Sequence, residues 1–198
     1  RLGEHGRRHR PEFTMLEWYW VGVDYQDLLR QTEALLAHAA QAWLGSTQLT
    51  TASGQTMDLS APAERLTVTE AFARYAQADL SDLLRRGEGA WEEALVTQVE
   101  PQLGRERPTF LLDYPIELAA LARAKPGAPH LAERWELYLD GLELANCYSE
   151  LTDATEQRRR FAATADLRRR DGREVYPLDE AFLAALESGM PACSGCAL

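Results

Sequence analysis

Cysteine is scarce in this 198-residue chain: there are three, an odd number. That leaves no disulfide framework and points to a reducing, cytoplasmic setting. Cys193 and Cys196 form a lone C-x-x-C, which supplies two of the four ligands of a structural zinc and has no second pair to complete it. No thioredoxin-like βαβ pattern surrounds it. Basic residues are outnumbered 21 to 31, for a formal charge of −10, which disfavours general binding to a phosphate backbone. Long apolar runs are also missing. Even Phe110 to Ala124 is broken by Asp113, Pro115, Glu117 and Arg123, so no segment reads as a membrane span. The basic stretch Arg1 to Arg10 leads into no apolar signal core. Internal repeats and low-complexity tracts are absent too. What remains is an ordinary globular composition, 45 % hydrophobic and 26 % charged, of a length that suits one domain.

Hydrophobic spacing suggests the elements. Phe13 to Trp20 is rich in β-formers and reads as a strand, with Phe13, Met15, Glu17 and Tyr19 on a binding-like face and Thr14, Leu16, Trp18 and Trp20 towards the core. Tyr25 to Trp43 has helical spacing with Asp24 as N-cap. Gly45 to Pro62 reads as a loop, followed by short helical segments around Glu70 to Ala76 and Ala90 to Val99. Thr109 to Tyr114 is a strand stopped by Pro115. Ala132 to Asp140 and Leu142 to Tyr148 form a hairpin turning at Asp140-Gly141. Thr155 to Arg170 and Asp179 to Ser188 are helices, the second closed by Gly189 and Pro191. Strands that do not alternate regularly with helices favour an α+β class, an antiparallel sheet flanked by helices.

Two constellations carry chemistry. Arg1, Glu4, Arg7, Arg8, His9 and Arg10 form a donor-rich segment suited to phosphate oxygens, directly before the face carrying Phe13, Glu17 and Tyr19. An aromatic can stack on a base, and a carboxylate with a phenol can hold an ammonium group. The hairpin AERWELYLDGLELANCYSELTD spaces Glu136, Glu143 and Glu150 seven residues apart, with Asn146 between the last two. Carboxylates among apolar neighbours need a partner or a cation, and magnesium shared with substrate phosphates would supply one. The bland alternative is a solvated sheet face. In a flat strand Glu143 and Asn146 point to opposite faces, so joint use requires a bulge. The arginine runs 158–160 and 168–170 read as a solvated helix face and its exit loop, or as a docking site for an acidic or RNA partner. Trp43 and Trp91 read as core.

The stretch RxGExGRRHRPEFTMLEWY resembles motif 2 of class II lysyl-tRNA synthetases, and the hairpin resembles that family's lysine and magnesium site. Within the family the chain is most similar to the truncated paralogues that attach β-lysine to translation elongation factor P, through Trp18, Ala145 in ELAN, Ala197, and the ending GMPACSGCAL. The resemblance implies a class II synthetase-like sheet and a ligase using ATP and Mg2+. It places Arg1, Glu4, His9, Arg10, Phe13, Glu136 and the backbone at Leu137 beside ATP. Glu136 and Glu143 become the metal carboxylates. Glu17, Tyr19, Glu143, Asn146 and Glu150 become the amino-acid site, with Ala145 and Ala197 setting specificity for lysine or β-lysine. It also implies a homodimer in the full-length protein.

Departures from the family pattern are Gly3 and Arg10 in motif 2 and Cys147 in place of a small glycine, where it would narrow the amino-acid pocket. Residues 1–198 correspond to a catalytic core without motif 1 and without the end of motif 3. Two other functions remain open: the catalytic domain of a lysyl-tRNA synthetase, and a non-catalytic synthetase-like binding or regulatory protein.

Overall fold

The computed structural model describes residues 12–60 and 62–198. The first strand, β1 (Glu17–Val21), starts later than its composition suggests, although Leu16 already exchanges two backbone hydrogen bonds with Leu198, at 2.8 and 2.9 Å. Asp24 then starts α1 (Tyr25–Leu44) through a reciprocal capping box with Asp27, which satisfies amide donors that the first helical turn leaves free. Gly45, in the left-handed region, ends it. The segment read as a loop contains a hairpin, β2 (Gln48–Thr50) and β3 (Thr56–Asp58). Next come β4 (Glu64–Thr67), α2 (Val68–Ala71), α3 (Leu80–Arg86) and α4 (Glu88–Ala94). The second of these helices was not anticipated; Asp79 caps it.

The remaining elements are β5 (Thr109–Leu112), β6 (Ala124–Lys125), β7 (Ala128–Ala132), β8 (Arg134–Leu139), β9 (Leu142–Ser149), α5 (Ala154–Arg170), α6 (Glu180–Glu187) and β10 (Cys193–Ala197). Asp140 and Gly141 both take positive φ at the β8–β9 turn, as the dipeptide demands. Six strands form the main sheet in the order β1-β10-β9-β8-β5-β4. All neighbours are antiparallel except β4 and β5. The expected α+β class, a largely antiparallel sheet flanked by helices, is therefore present.

The two faces of this sheet are covered differently. One face packs Phe110, Trp135, Leu137, Ala145, Cys147 and Cys196 against Leu28 and Leu29 of α1, and the Trp135 indole donates to the Tyr25 carbonyl at 2.6 Å. On the other face, Leu66, Leu111, Tyr114 and Tyr138 pack with Phe72, Leu83 and Trp91 of the helical segment 68–99. That helical cover lies over the β4-β5-β8 half. Strands β9, β10 and β1 keep this second face accessible, and the candidate site lies there.

Three expectations about burial need correction. Leu16 and Trp20 are exposed, at 52 % and 43 %; β1 is an edge strand, and of its core-side residues Trp18 packs on the α1 cluster. Trp43 is 89 % exposed rather than core, whereas Trp91 is buried. Arg160 is not part of a solvated face: it is buried and donates to the carbonyls of Ala119 and Ala122 at 3.1 and 2.7 Å. Among the described residues no helix is long and apolar enough to cross a membrane.

Candidate active site

Strand pairing assembles the site as two rows of side chains running across β1, β10, β9 and β8. In one row Glu17 faces Ala197, which faces Asn146, which faces Glu136. In the next, Tyr19 faces Gly195, which faces Tyr148, which faces Arg134. The β10 members are the two smallest in their rows. They form the floor of a trough of about 250 Å3, walled by Glu17 and Tyr19 on one side and Asn146, Tyr148 and Glu150 on the other. A Cβ on Gly195 would stand 2.5 Å from Glu150 Oε1 and 2.8 Å from Tyr19 Cε1, so glycine is what lets these two groups converge.

The electrostatics of the trough are anionic. Burial raises the Glu150 carboxyl to about 7, because desolvation penalises its charged form. Tyr19 is raised chiefly by the charge of Glu150, and Tyr148 is pushed to about 12, first by burial and then by Glu150 and Tyr19. A cation entering the trough would relieve all three groups.

The bulge that joint use of Glu143 and Asn146 requires is present. Leu137 pairs with Ala145 and Tyr138 with Glu143, which leaves Leu144 as the extra residue. Glu143 is thereby returned to the face that carries Tyr138 and Asn146. Its charge acts on both Arg134 and Tyr138.

Glu136 is buried and satisfied. One oxygen accepts from the hydroxyls of Tyr114 at 2.5 Å and Tyr138 at 2.7 Å, and the other from Arg134 Nη2 at 2.5 Å. The same guanidinium donates from Nε to Asn146 Oδ1 at 3.1 Å and from Nη1 to the Leu118 carbonyl at 2.9 Å. It also lies 4.4 Å from the Tyr114 ring centroid. Burial and the Glu136 charge raise both phenols. Among the described residues no three His, Cys, Asp or Glu side chains converge on a potential metal position. The fit to magnesium is thus uneven: Glu143 is exposed on the bulge, while Glu136 already holds three donors.

The structure gathers Glu17, Tyr19, Asn146, Glu150 and Ala197 at one trough, with Glu136 and Glu143 beyond its Asn146 end. Phe13 is 55 % exposed. Arg1, Glu4, His9 and Arg10 lie outside the described residues. Ala145 and Leu137 are not brought to the trough: their side chains lie in the α1 cluster, because strand alternation turns them away from Asn146 and Glu136. The Leu137 backbone sits inside the ladder, between Phe110 and Ala145. Cys147 also faces α1, across from Cys196, and so does not narrow the trough. Cys193 and Cys196, three residues apart on β10, point to opposite faces and cannot share an ion. Sequence reasoning missed Gly195, Tyr148 and Arg134. For the first two, strand alternation from Glu150 and Ala197 was an available signal once β10 was known to be a strand.

All 198 residues match the family described as tRNA synthetases class II (D, K and N). The chain belongs to that family. Among similar proteins are lysine–tRNA ligases of Gloeobacter violaceus and Moorella thermoacetica, each 38 % identical over 206 residues covering 95 % of this chain and 41 % and 42 % of those proteins. The lysine–tRNA ligase of Paraburkholderia phymatum is 38 % identical over 215 residues, covering 96 % of this chain and 41 % of its own length. The chain thus spans about two fifths of these relatives and is a lysine–tRNA ligase-like class II synthetase domain.

Proposed function

We propose that this domain joins a lysine-type amino acid to ATP and hands the activated acyl group to a lysine side chain of elongation factor P. The observation that carries the substrate is the trough itself: a small-residue floor between Glu17, Tyr19 and Glu150, with a carboxyl that burial raises to about 7. A primary ammonium on a flexible aliphatic stem suits it. A carboxylate oxygen of the amino acid attacks the α-phosphorus of ATP, pyrophosphate leaves, and the acyl-adenylate results. The acceptor amine then attacks the acyl carbon, losing a proton, and AMP leaves. No side chain need become covalently attached; the protein contributes position and charge. Arg1, Glu4, His9, Arg10 and Phe13 are assigned to the nucleotide. Magnesium would come with the ATP phosphates, where it neutralises charge, and Glu143 is the carboxylate best placed to meet it.

Ala197 supports the β-lysine reading, since its methyl occupies the trough floor between Glu17 and Asn146. The names of the relatives support a second reading, in which the amino acid is α-lysine and the acceptor is tRNA. Amino-acid-dependent ATP–pyrophosphate exchange on the full-length protein, with both isomers side by side, separates them. Exchange favouring β-lysine, followed by transfer to elongation factor P, is expected; α-lysine with transfer to tRNA would establish the second reading, and no exchange would establish a non-catalytic protein. Ala197→Gly is expected to shift preference towards α-lysine, while Ala145→Gly, on the opposite face, should leave it unmoved. An equal response to the two substitutions would remove Ala197 as the basis for choosing β-lysine.

A further inference from the structure

We infer that Arg134, which reaches no part of the trough itself, fixes the chemical identity of the Asn146 side chain and thereby makes it a detector of the substrate's carboxylate. This rests on the amino-acid reading of the trough above. A guanidinium N–H can only donate. The atom it meets at 3.1 Å must therefore be the Asn146 carbonyl oxygen, so the two orientations an amide can normally adopt reduce to one. The amide NH2 is what remains for the trough. Asn146 faces Ala197 across β9 and β10, so that NH2 belongs to the row of Ala197 and Glu17, one row along the floor from Gly195 and Glu150. A substrate with an ammonium at the Glu150 end thus meets a hydrogen-bond donor where its carboxylate would lie.

Arg134 is itself held from three other sides. Glu136 Oε1 accepts from Nη2, the Leu118 carbonyl accepts from Nη1, and the Tyr114 ring lies beneath the guanidinium. Glu136 is in turn locked by the hydroxyls of Tyr114 and Tyr138. The planar fork of arginine satisfies these directions together, and a lysine ammonium does not. Arg134 is a positioning residue: freed of it, Asn146 can turn either its oxygen or its nitrogen to the substrate, and the oxygen repels a carboxylate.

The test compares two ligands by calorimetric titration of the full-length protein: lysine, taking whichever isomer the protein binds, and the diamine that keeps its amines and lacks its carboxylate, 1,5-diaminopentane for α-lysine and 1,4-diaminopentane for β-lysine. Arg134→Lys and Arg134→Met are expected to weaken lysine about tenfold or more, the loss of one charge-assisted hydrogen bond, while changing diamine affinity by less than about threefold. In an Asn146→Leu background the same substitutions should cost lysine nothing further, because the group that Arg134 orients is gone. Equal losses for the two ligands, or none for either, would overturn the proposal, since a general structural defect spares no ligand. Thermal melts identify a variant that fails to fold, and the Asn146→Leu protein with native Arg134 then decides alone: it must lose lysine and keep the diamine. If the unaltered protein binds neither compound, the amino-acid reading fails, and this inference with it.

Discussion

Gly195 matters for the atom it lacks. A methyl there would collide with the Glu150 carboxylate and the Tyr19 ring, both of which are side chains at the protein surface or near it and can swing aside without moving the sheet. Gly195→Ala is therefore expected to leave the fold intact, with a melting temperature close to that of the unaltered protein, while pushing Glu150 and Tyr19 apart and lowering lysine affinity by about tenfold or more. Retained affinity in a folded Gly195→Ala protein would show that the ammonium is held elsewhere. The argument does not extend to Gly104, where the nearest atoms to an added Cβ belong to the backbone of Tyr138 and Leu139 and the strand itself would have to move.

Among the elements, those with a local cause were legible. Asp24 capping an amphipathic run, the Asp140-Gly141 turn and the TFLLDY strand all appear where their chemistry places them. The hairpin β2–β3 was hidden because its strands are three residues each, flanked by Ser and Gly, and the strand β10 because CSGCA holds no β-branched or aromatic residue. β10 is extended because β1 and β9 pair with it on both sides, a tertiary cause with no local signal. The site followed the same division. Glu17, Tyr19, Asn146 and Glu150 were readable as residue types in a pattern, whereas Arg134 acts through partners distant in sequence. Ala145 was assigned to the site from its neighbourhood in ELAN, and alternation put it on the other face. Arg160 was likewise read as surface. One helical turn of α5 brings it under the backbone at Ala119 and Ala122, where it donates to the Ala122 carbonyl and shares the Ala119 carbonyl with the Ala122 amide. Arg160→Met is expected to destabilise the protein by about 2–3 kcal/mol in urea denaturation, since it takes the donor from the Ala122 carbonyl and an ion-pair partner from Glu156. Arg169→Ala, whose ion pair with Asp166 is exposed, should leave the midpoint unmoved, and equal effects of the two would contradict this placement of α5.

In this acidic chain of formal charge −10, carboxyls among the described residues are shifted in both directions. Glu156, held to about 2 first by its hydrogen bond from Arg159, contributes stability that is present above the ordinary glutamate range and is lost as pH falls towards 2. Asp58, Glu70, Asp79 and Asp140, lowered by hydrogen bonds from Ser60, Thr67, Ser81 and Ser53, act in the same direction. Glu150 has the reverse sign. Its folded-state pKa of about 7 lies above its unfolded value, so between about pH 4.5 and 7 the native state binds more protons and stability falls as pH rises. The unliganded protein should therefore be most stable near pH 5. Glu150→Gln should abolish the decline towards pH 8, gaining on the order of 1 kcal/mol there once solvent screening is allowed for, or about 2–4 °C in melting temperature. Lysine affinity runs the other way: it should rise about tenfold from pH 6 to 8 as Glu150 ionises and be weak and flat in the Gln variant. Melting curves and titrations over that range check both halves together, and parallel pH profiles for the two proteins would sink the assignment. The cost of ionising an empty trough is what an ammonium ligand removes, so lysine should raise the melting temperature most at the alkaline end, where the unliganded protein is least stable.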